Sequence, residues 1–185
     1  MDKTFTNLIR TNPILKIEDQ KFSNEVIYEQ VFKDGNLMNI TFLDFEFENT
    51  DLYYCDFWKC SFQNCNFHKD LSLWRKCNFY DCTFENCKLS ECEWSRVDFY
   101  STRFINCNFQ NLHLKNSSLI TCELLETNWD KVYLESIGFS NMKIHKTTFT
   151  NLKFSQNSIS SIGNLEESIQ VHDSQTFHKA IKQLF

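Results

Sequence analysis

The chain has 185 residues, with 19 basic against 24 acidic side chains and a formal net charge of −5. That length fits one domain with short tails, and the mild acidity gives no footprint for direct nucleic-acid binding. Three Gly, one Pro and a single alanine, Ala180, exclude collagen and Gly-rich phosphate loops and argue against a helical bundle. No apolar run approaches the roughly 20 residues that span a bilayer. The stretch Met1–Thr11 is too polar for a signal peptide, so the nine cysteines read as reduced thiols in the cytoplasm.

Residues 1–21 show no regular pattern and are expected to form an N-terminal arm or cap. Asn12-Pro13 marks a turn, and Ile14, Leu15 and Ile17 could cover the first part of the fold.

From Phe32 to Phe67 every fifth residue is Phe or Leu. The phase slips by two, and from Trp74 to Ile159 every fifth residue is again Phe, Leu, Trp or Ile. Phe22 and Ile27 share the first phase, so the array is placed at 22–161. All nine cysteines lie two residues before one of these apolar centres, and Thr50, Val97, Thr102, Ser117, Val132 and Ile137 occupy the same slot elsewhere. Slot and centre therefore both point inward, two residues apart, as on a strand. The other three positions are polar and rich in Asn, which tolerates turn geometry. A period of five fits neither a plain helix nor a plain strand. It fits a chain that extends briefly and turns, four times per coil of about 20 residues, with coils stacked at the strand spacing.

The units Cys55–Phe57 (CDF), Cys65–Phe67, Cys77–Phe79 and Cys107–Phe109 (CNF), Val97–Phe99 (VDF) and Thr127–Trp129 (TNW) carry a resemblance to the pentapeptide-repeat family. The resemblance implies an all-β fold, a right-handed quadrilateral β-helix with a C-terminal capping strand and helix. Two extra residues within 68–73 are expected to form a small bulge or a short contact loop.

Residues 162–185 leave the pattern again. Ser168–His172 alternates as a strand, and Asp173 or Ser174 can cap a helix from about Gln175. Phe177, Ala180, Ile181 and Leu184 recur on one helical face. They can cover the last coil or form a dimer interface, for which Phe177, Ile181 and Leu184 are the candidates. A strand followed by a helix is similar to the C-terminal dimerisation module of the quinolone-resistance and microcin-immunity members, which implies a homodimer through the C-terminus.

No enzyme motif, cofactor signature or metal-ligand spacing emerges. The cysteine spacing of five is set by the repeat, and none of His68, His113, His145, His172 and His178 shares the cysteine slot. Buried thiols behave as small hydrophobes, and Cys60 with Cys82 and Cys65 with Cys87 should stack on adjacent coils. The candidate surfaces are two. One is the acidic run Asp44, Glu46, Glu48, Asp51 and Asp56, which is either a solvated face or a partner contact. The other is a column of outward residues, Met38, Trp58, Tyr80, Tyr100 and Ile120, beside Asp56 and Asp98. It is either a self-stacking ladder or a partner-binding strip.

Two functions follow from the resemblance. The first is a duplex mimic that binds a type II topoisomerase, DNA gyrase or topoisomerase IV, and protects it from a quinolone or toxin. The stretch Thr121–Trp129 (TCELLETNW) resembles a segment of such members, while the weak charge and the lack of a long loop oppose this reading. The second is a scaffold or binding module for an unrelated partner. Neither involves catalysis or a membrane.

Overall fold

A computed structural model describes residues 4–11, 16–68, 72–155, 157–160 and 168–171, and the isolated positions 175 and 179. The chain winds into a four-sided β-helix in which each side is a strand of mostly three residues. Strands one coil apart pair in parallel with partners 20 residues away, as Leu37 pairs with Phe57 and Phe104 with Leu124. Eight strands stack on the first face, from Lys16–Glu18 to Asn157–Ser160, a rod of about 34 Å at the strand spacing.

The corner residue, two after each centre, carries the turn. Among the described residues, twenty-six non-glycine residues hold φ between 47° and 58°, from Asp19 to Asn151, and every one sits at this position. Asn and Asp tolerate the left-handed region, but Tyr54, Lys59, Arg96 and Thr121 adopt it as well. Twenty of these corner amides donate to a carbonyl of the next coil, as Asn39 N does to Trp58 O at 2.9 Å, which pairs the strained backbone there.

The centres fill the interior. Phe42, Phe62, Phe84 and Phe104 stack down one face with centroids 4.6–5.0 Å apart. Neighbouring columns meet edge to face, as Phe99 does with Phe104 at 5.3 Å and 69°. Both geometries suit the ring quadrupole. An interior gap lined by Phe32, Leu37, Phe57 and Phe79 measures about 20 Å³, room for one water at most. All nine cysteines are buried and unpaired by disulfides. The Cys60 sulfur lies 3.4 Å from the carbonyl oxygen of Leu37 and 3.5 Å from that of Trp58. Cys60 and Cys82, and Cys65 and Cys87, are thiol neighbours on adjacent coils.

The array starts earlier than the sequence pattern placed it. Lys16–Glu18 already pairs with Asn36–Met38, so Ile17 is a centre of the first coil and residues 16–21 belong to the rod. Below that coil lies helix α1 (Phe5–Thr11). Its Phe5 is buried, with ring centroids 4.9 Å from Phe42 and 5.2 Å from Phe22, and plugs the open end. Glu25, in an inward slot, accepts from Phe5 N at 2.7 Å and Thr6 N at 2.9 Å, which satisfies donors at the helix start. A bare end would be a sheet edge open to pairing.

The two extra residues fall between the third and fourth faces, so that partners across them are 22 residues apart, as Leu52 is from Trp74 and Phe57 from Phe79. At the other end Asn157–Ser160 pairs with Ser168–Val171, the antiparallel partner in an otherwise parallel sheet. Gln175 and Lys179 are helical and exposed. Phe177, Ile181 and Leu184, the expected dimer contacts, lie outside the described residues.

Candidate functional site

With the interior filled by side chains, chemistry toward other molecules falls to the outward positions on either side of each centre. On the first face, the positions after the centres carry Met38, Trp58, Tyr80, Tyr100 and Ile120 in register. The Trp58 and Tyr80 rings stack at 3.9 Å and 16°, and those of Tyr80 and Tyr100 at 5.0 Å and 8°. Met38 and Trp58 are each 37% exposed, whereas Tyr80 and Tyr100 are half-buried by their neighbours. The ladder is thus self-stacked and still presents its edge to solvent.

Asp56 and Asp98 stand before the centres of the same face. Asp56 accepts from Asn78 Nδ2 at 2.8 Å. Burial first, then the two carboxylates, raise the Tyr80 hydroxyl above the ordinary tyrosine range; burial and Asp98 do the same for Tyr100. The ladder is therefore neutral at physiological pH, and each hydroxyl can donate. From Asn36 to Ser140 the strand positions flanking the first-face centres hold two acids and no base.

The acidic run does not form one surface. Five residues advance the chain by one face, so a run in sequence travels around the rod. Asp44 stands at a corner, Glu46 and Glu48 on the third face, Asp51 on the fourth and Asp56 on the first. Asp56, Trp58, Tyr80, Asp98 and Tyr100 come together; Glu46 and Glu48 lie on the opposite side. Several of these acids also have partners inside the rod. Asp44 accepts from Asn64 at 2.9 Å, at the foot of an amide ladder through Asn86 and Asn106. Glu46 bonds to Asn66 and, at 3.1 Å, to His68 Nε2. Asp51 accepts from Leu73 N at 2.8 Å.

Further along the rod acids and bases alternate between coils. Glu123 bridges Arg103 at 3.0 Å and Lys143 at 2.8 Å, and Glu135 bridges Lys115 at 3.1 Å and His113 at 3.2 Å. The Lys143 ammonium, then Arg103, holds the Glu123 carboxyl below the usual range; Lys115 leads at Glu135. No face carries continuous acidity along the described rod. Among the described residues no group of three His, Cys, Asp or Glu is placed to hold a metal, and no helix is long and apolar enough to cross a membrane.

Four exposed apolar residues among those described escaped the sequence reading: Val26 at 59%, Tyr28 at 50%, Val31 at 52% and, at a corner, Tyr54 at 53%. Their signal was phase, since Val26 and Val31 each fall just before a centre, where the chain points outward.

Five-residue sides, left-handed corners and a filled square core define a repeat solenoid whose variable side chains lie on its outer faces. The pentapeptide-repeat family model matches the chain in eight copies, over residues 36–68 and 77–116, so these coils are pentapeptide repeats. The break between the two blocks coincides with the extra residues, and the coils continue on both sides of the matched region. Among solved structures, the chain is similar to full-length QnrB1, a plasmid-mediated fluoroquinolone resistance protein, at 17% identity over 89% of this chain and 99% of that one, with a TM-score of 0.37. It is similar to the pentapeptide-repeat protein Rfr23 from the cyanobacterium Cyanothece 51142, at 19% identity over 54% of this chain and 59% of that one, with a TM-score of 0.32. It is also similar to HetL from Nostoc sp. strain PCC 7120, a pentapeptide-repeat protein involved in heterocyst differentiation regulation, at 9% identity over 74% and 87%, with a TM-score of 0.22. No curated protein sequence matches the chain.

Proposed function

We propose that this protein is a non-enzymatic, cytoplasmic interaction rod that binds a protein partner along its first face. The ladder of Met38, Trp58, Tyr80, Tyr100 and Ile120 carries the reading. Aromatic residues are favoured in interface cores, and stacking fixes these side chains in advance, which lowers the entropy lost on binding. The rod associates as a homodimer through residues 165–185, where Phe177, Ile181 and Leu184 supply the apolar face.

A second reading is supported by the charge of the same face, with Asp56 and Asp98 and no base on the flanking strand positions. Such a face suits a basic target, and the DNA-binding saddle of a type II topoisomerase is one. In this reading the rod binds DNA gyrase or topoisomerase IV in place of duplex and makes no contact with nucleic acid itself.

One experiment addresses both. Wild type and the double variant Trp58→Ala/Tyr80→Ala are compared in affinity capture from cytosol of the source cell and in a gyrase supercoiling assay with and without a quinolone. A partner lost from the variant supports the first-face reading, and an effect on supercoiling that fades with salt identifies the topoisomerase. Identical capture by both proteins rejects the first face, and unaltered supercoiling rejects the topoisomerase.

A further inference from the structure

The opposite side of the rod carries a second arrangement. In the first coil, Val26, Tyr28 and Val31 point outward and are at least half exposed. Each is register-paired with an acid of the next coil: Val26 with Glu46, Tyr28 with Glu48 and Val31 with Asp51. An apolar row and an acidic row therefore run side by side around one corner, about one strand spacing apart. Glu29 occupies that corner, and a hydrogen bond to Glu29, then its charge, burial and the charge of Glu48, raise the Tyr28 hydroxyl above the ordinary tyrosine range. Between residues 26 and 48 the third face and its two corners hold acids but no base.

Neither row explains the other. Exposed apolar residues at a rim contribute nothing to the core, and Glu46, which bonds to Asn66 and His68 of the next coil, still keeps its side chain 37% exposed. Both are accounted for by one kind of occupant, with an apolar stripe flanked by positive charge. We infer that this corner is a docking site for a basic amphipathic segment of a partner protein, lying across the rod with its apolar side on Val26, Tyr28 and Val31 and its Lys or Arg side chains on Glu46 and Glu48. Complementary charge would steer and orient the segment, and the apolar row would supply the buried area. The site lies on the far side from the first-face ladder, so it goes beyond the proposed function and can stand or fall separately.

The probe is a labelled synthetic peptide with Leu at i, i+3, i+4 and i+7 and Lys on the opposite flank, titrated into the full-length protein at low and physiological salt. A matched peptide with Glu in place of Lys is the control. Wild type is expected to bind the Lys peptide, with affinity falling as salt rises, and to ignore the Glu peptide. Tyr28→Lys/Glu48→Lys should weaken binding at least about tenfold, as expected for loss of a central aromatic contact and reversal of a complementary charge. Trp58→Ala/Tyr80→Ala should leave it unchanged. Val31→Lys, at a separate exposed position, gives the same answer if the first variant fails to fold. No binding to wild type, equal binding to wild type and the patch variants, or equal binding of the two peptides overturns the inference.

Discussion

The carboxylate of Asp51 accepts the backbone N–H of Leu73 at 2.8 Å, across the point where the repeat gains two residues. Elsewhere the residue before a centre donates to a main-chain carbonyl of the coil beneath, as Asn78 N does to Cys55 O and Thr83 N to Cys60 O, both at 2.9 Å. At Leu73 a side chain takes over that role, so Asp51 repairs the ladder where the register changes. Asp51→Ala would leave a partly buried donor without its acceptor, at a cost of about 1–3 kcal/mol. Asp44→Asn, which keeps both a residue that tolerates the corner φ of 56° and an acceptor for the exposed Asn64 amide, is expected to stay within about 0.5 kcal/mol. Urea unfolding of the two variants gives both values, and equal stabilities would remove Asp51 from the account.

Phe84 is fully buried in the column between Phe62 and Phe104, with centroids at 4.6 and 5.0 Å. Phe84→Ala is expected to cost about 3–5 kcal/mol, because stacked coils on both sides cannot collapse into the space. Denaturant midpoints at unchanged slope measure it. A loss below about 1 kcal/mol would place Phe84 outside the core.

The thiols should be silent in the native protein. Burial, which disfavours the thiolate, pushes Cys92 and Cys122 up to about 12. Thiol titration at pH 8 is expected to modify few cysteines before unfolding and all nine after it. Rapid native modification of Cys92 or Cys122 contradicts the burial.

Much of this was legible in the sequence because two inward positions recur in every five residues. Centre and slot are selected for bulk and for small size respectively, so the register from Phe22 to Ile159 could be read before any coordinates. The start of the first coil at Ile17 was obscured because the slots that follow it hold Gln20, Glu25 and Gln30 rather than small apolar residues. Glu25 is polar there because it caps α1, and that purpose is invisible until Phe5 is seen in the core. The acidic run misled for a geometric reason: neighbours in sequence such as Glu48 and Asp56 turn to opposite faces, whereas Trp58 and Tyr80, 22 residues apart, touch.

The cross-coil ion pairs give an acid-side dependence of stability. Glu123 sits below its ordinary value, chiefly through Lys143 and then Arg103. A carboxylate depressed in the folded state contributes stability that is present above its unfolded pKa and is lost as pH falls through the folded one. Melting temperature should therefore decline below about pH 4.5, near the ordinary glutamate value, and Glu123→Gln should flatten that part of the profile. The pair is partly exposed, so the effect should be small and shrink in salt. A variant profile that matches wild type at every pH removes the Glu123 bridges from the acid response.

In the proposed function the first face is the surface that meets a partner. Benzoyl-phenylalanine placed at Tyr100 and, as a control, at Gln110 on the third face allows photo-crosslinking inside the source cell. The expected result is a discrete heavier adduct from position 100 that is absent from position 110 and disappears when Trp58→Ala is added. No adduct from position 100, or the same adducts from both positions, would contradict the claim that the aromatic ladder is the binding surface.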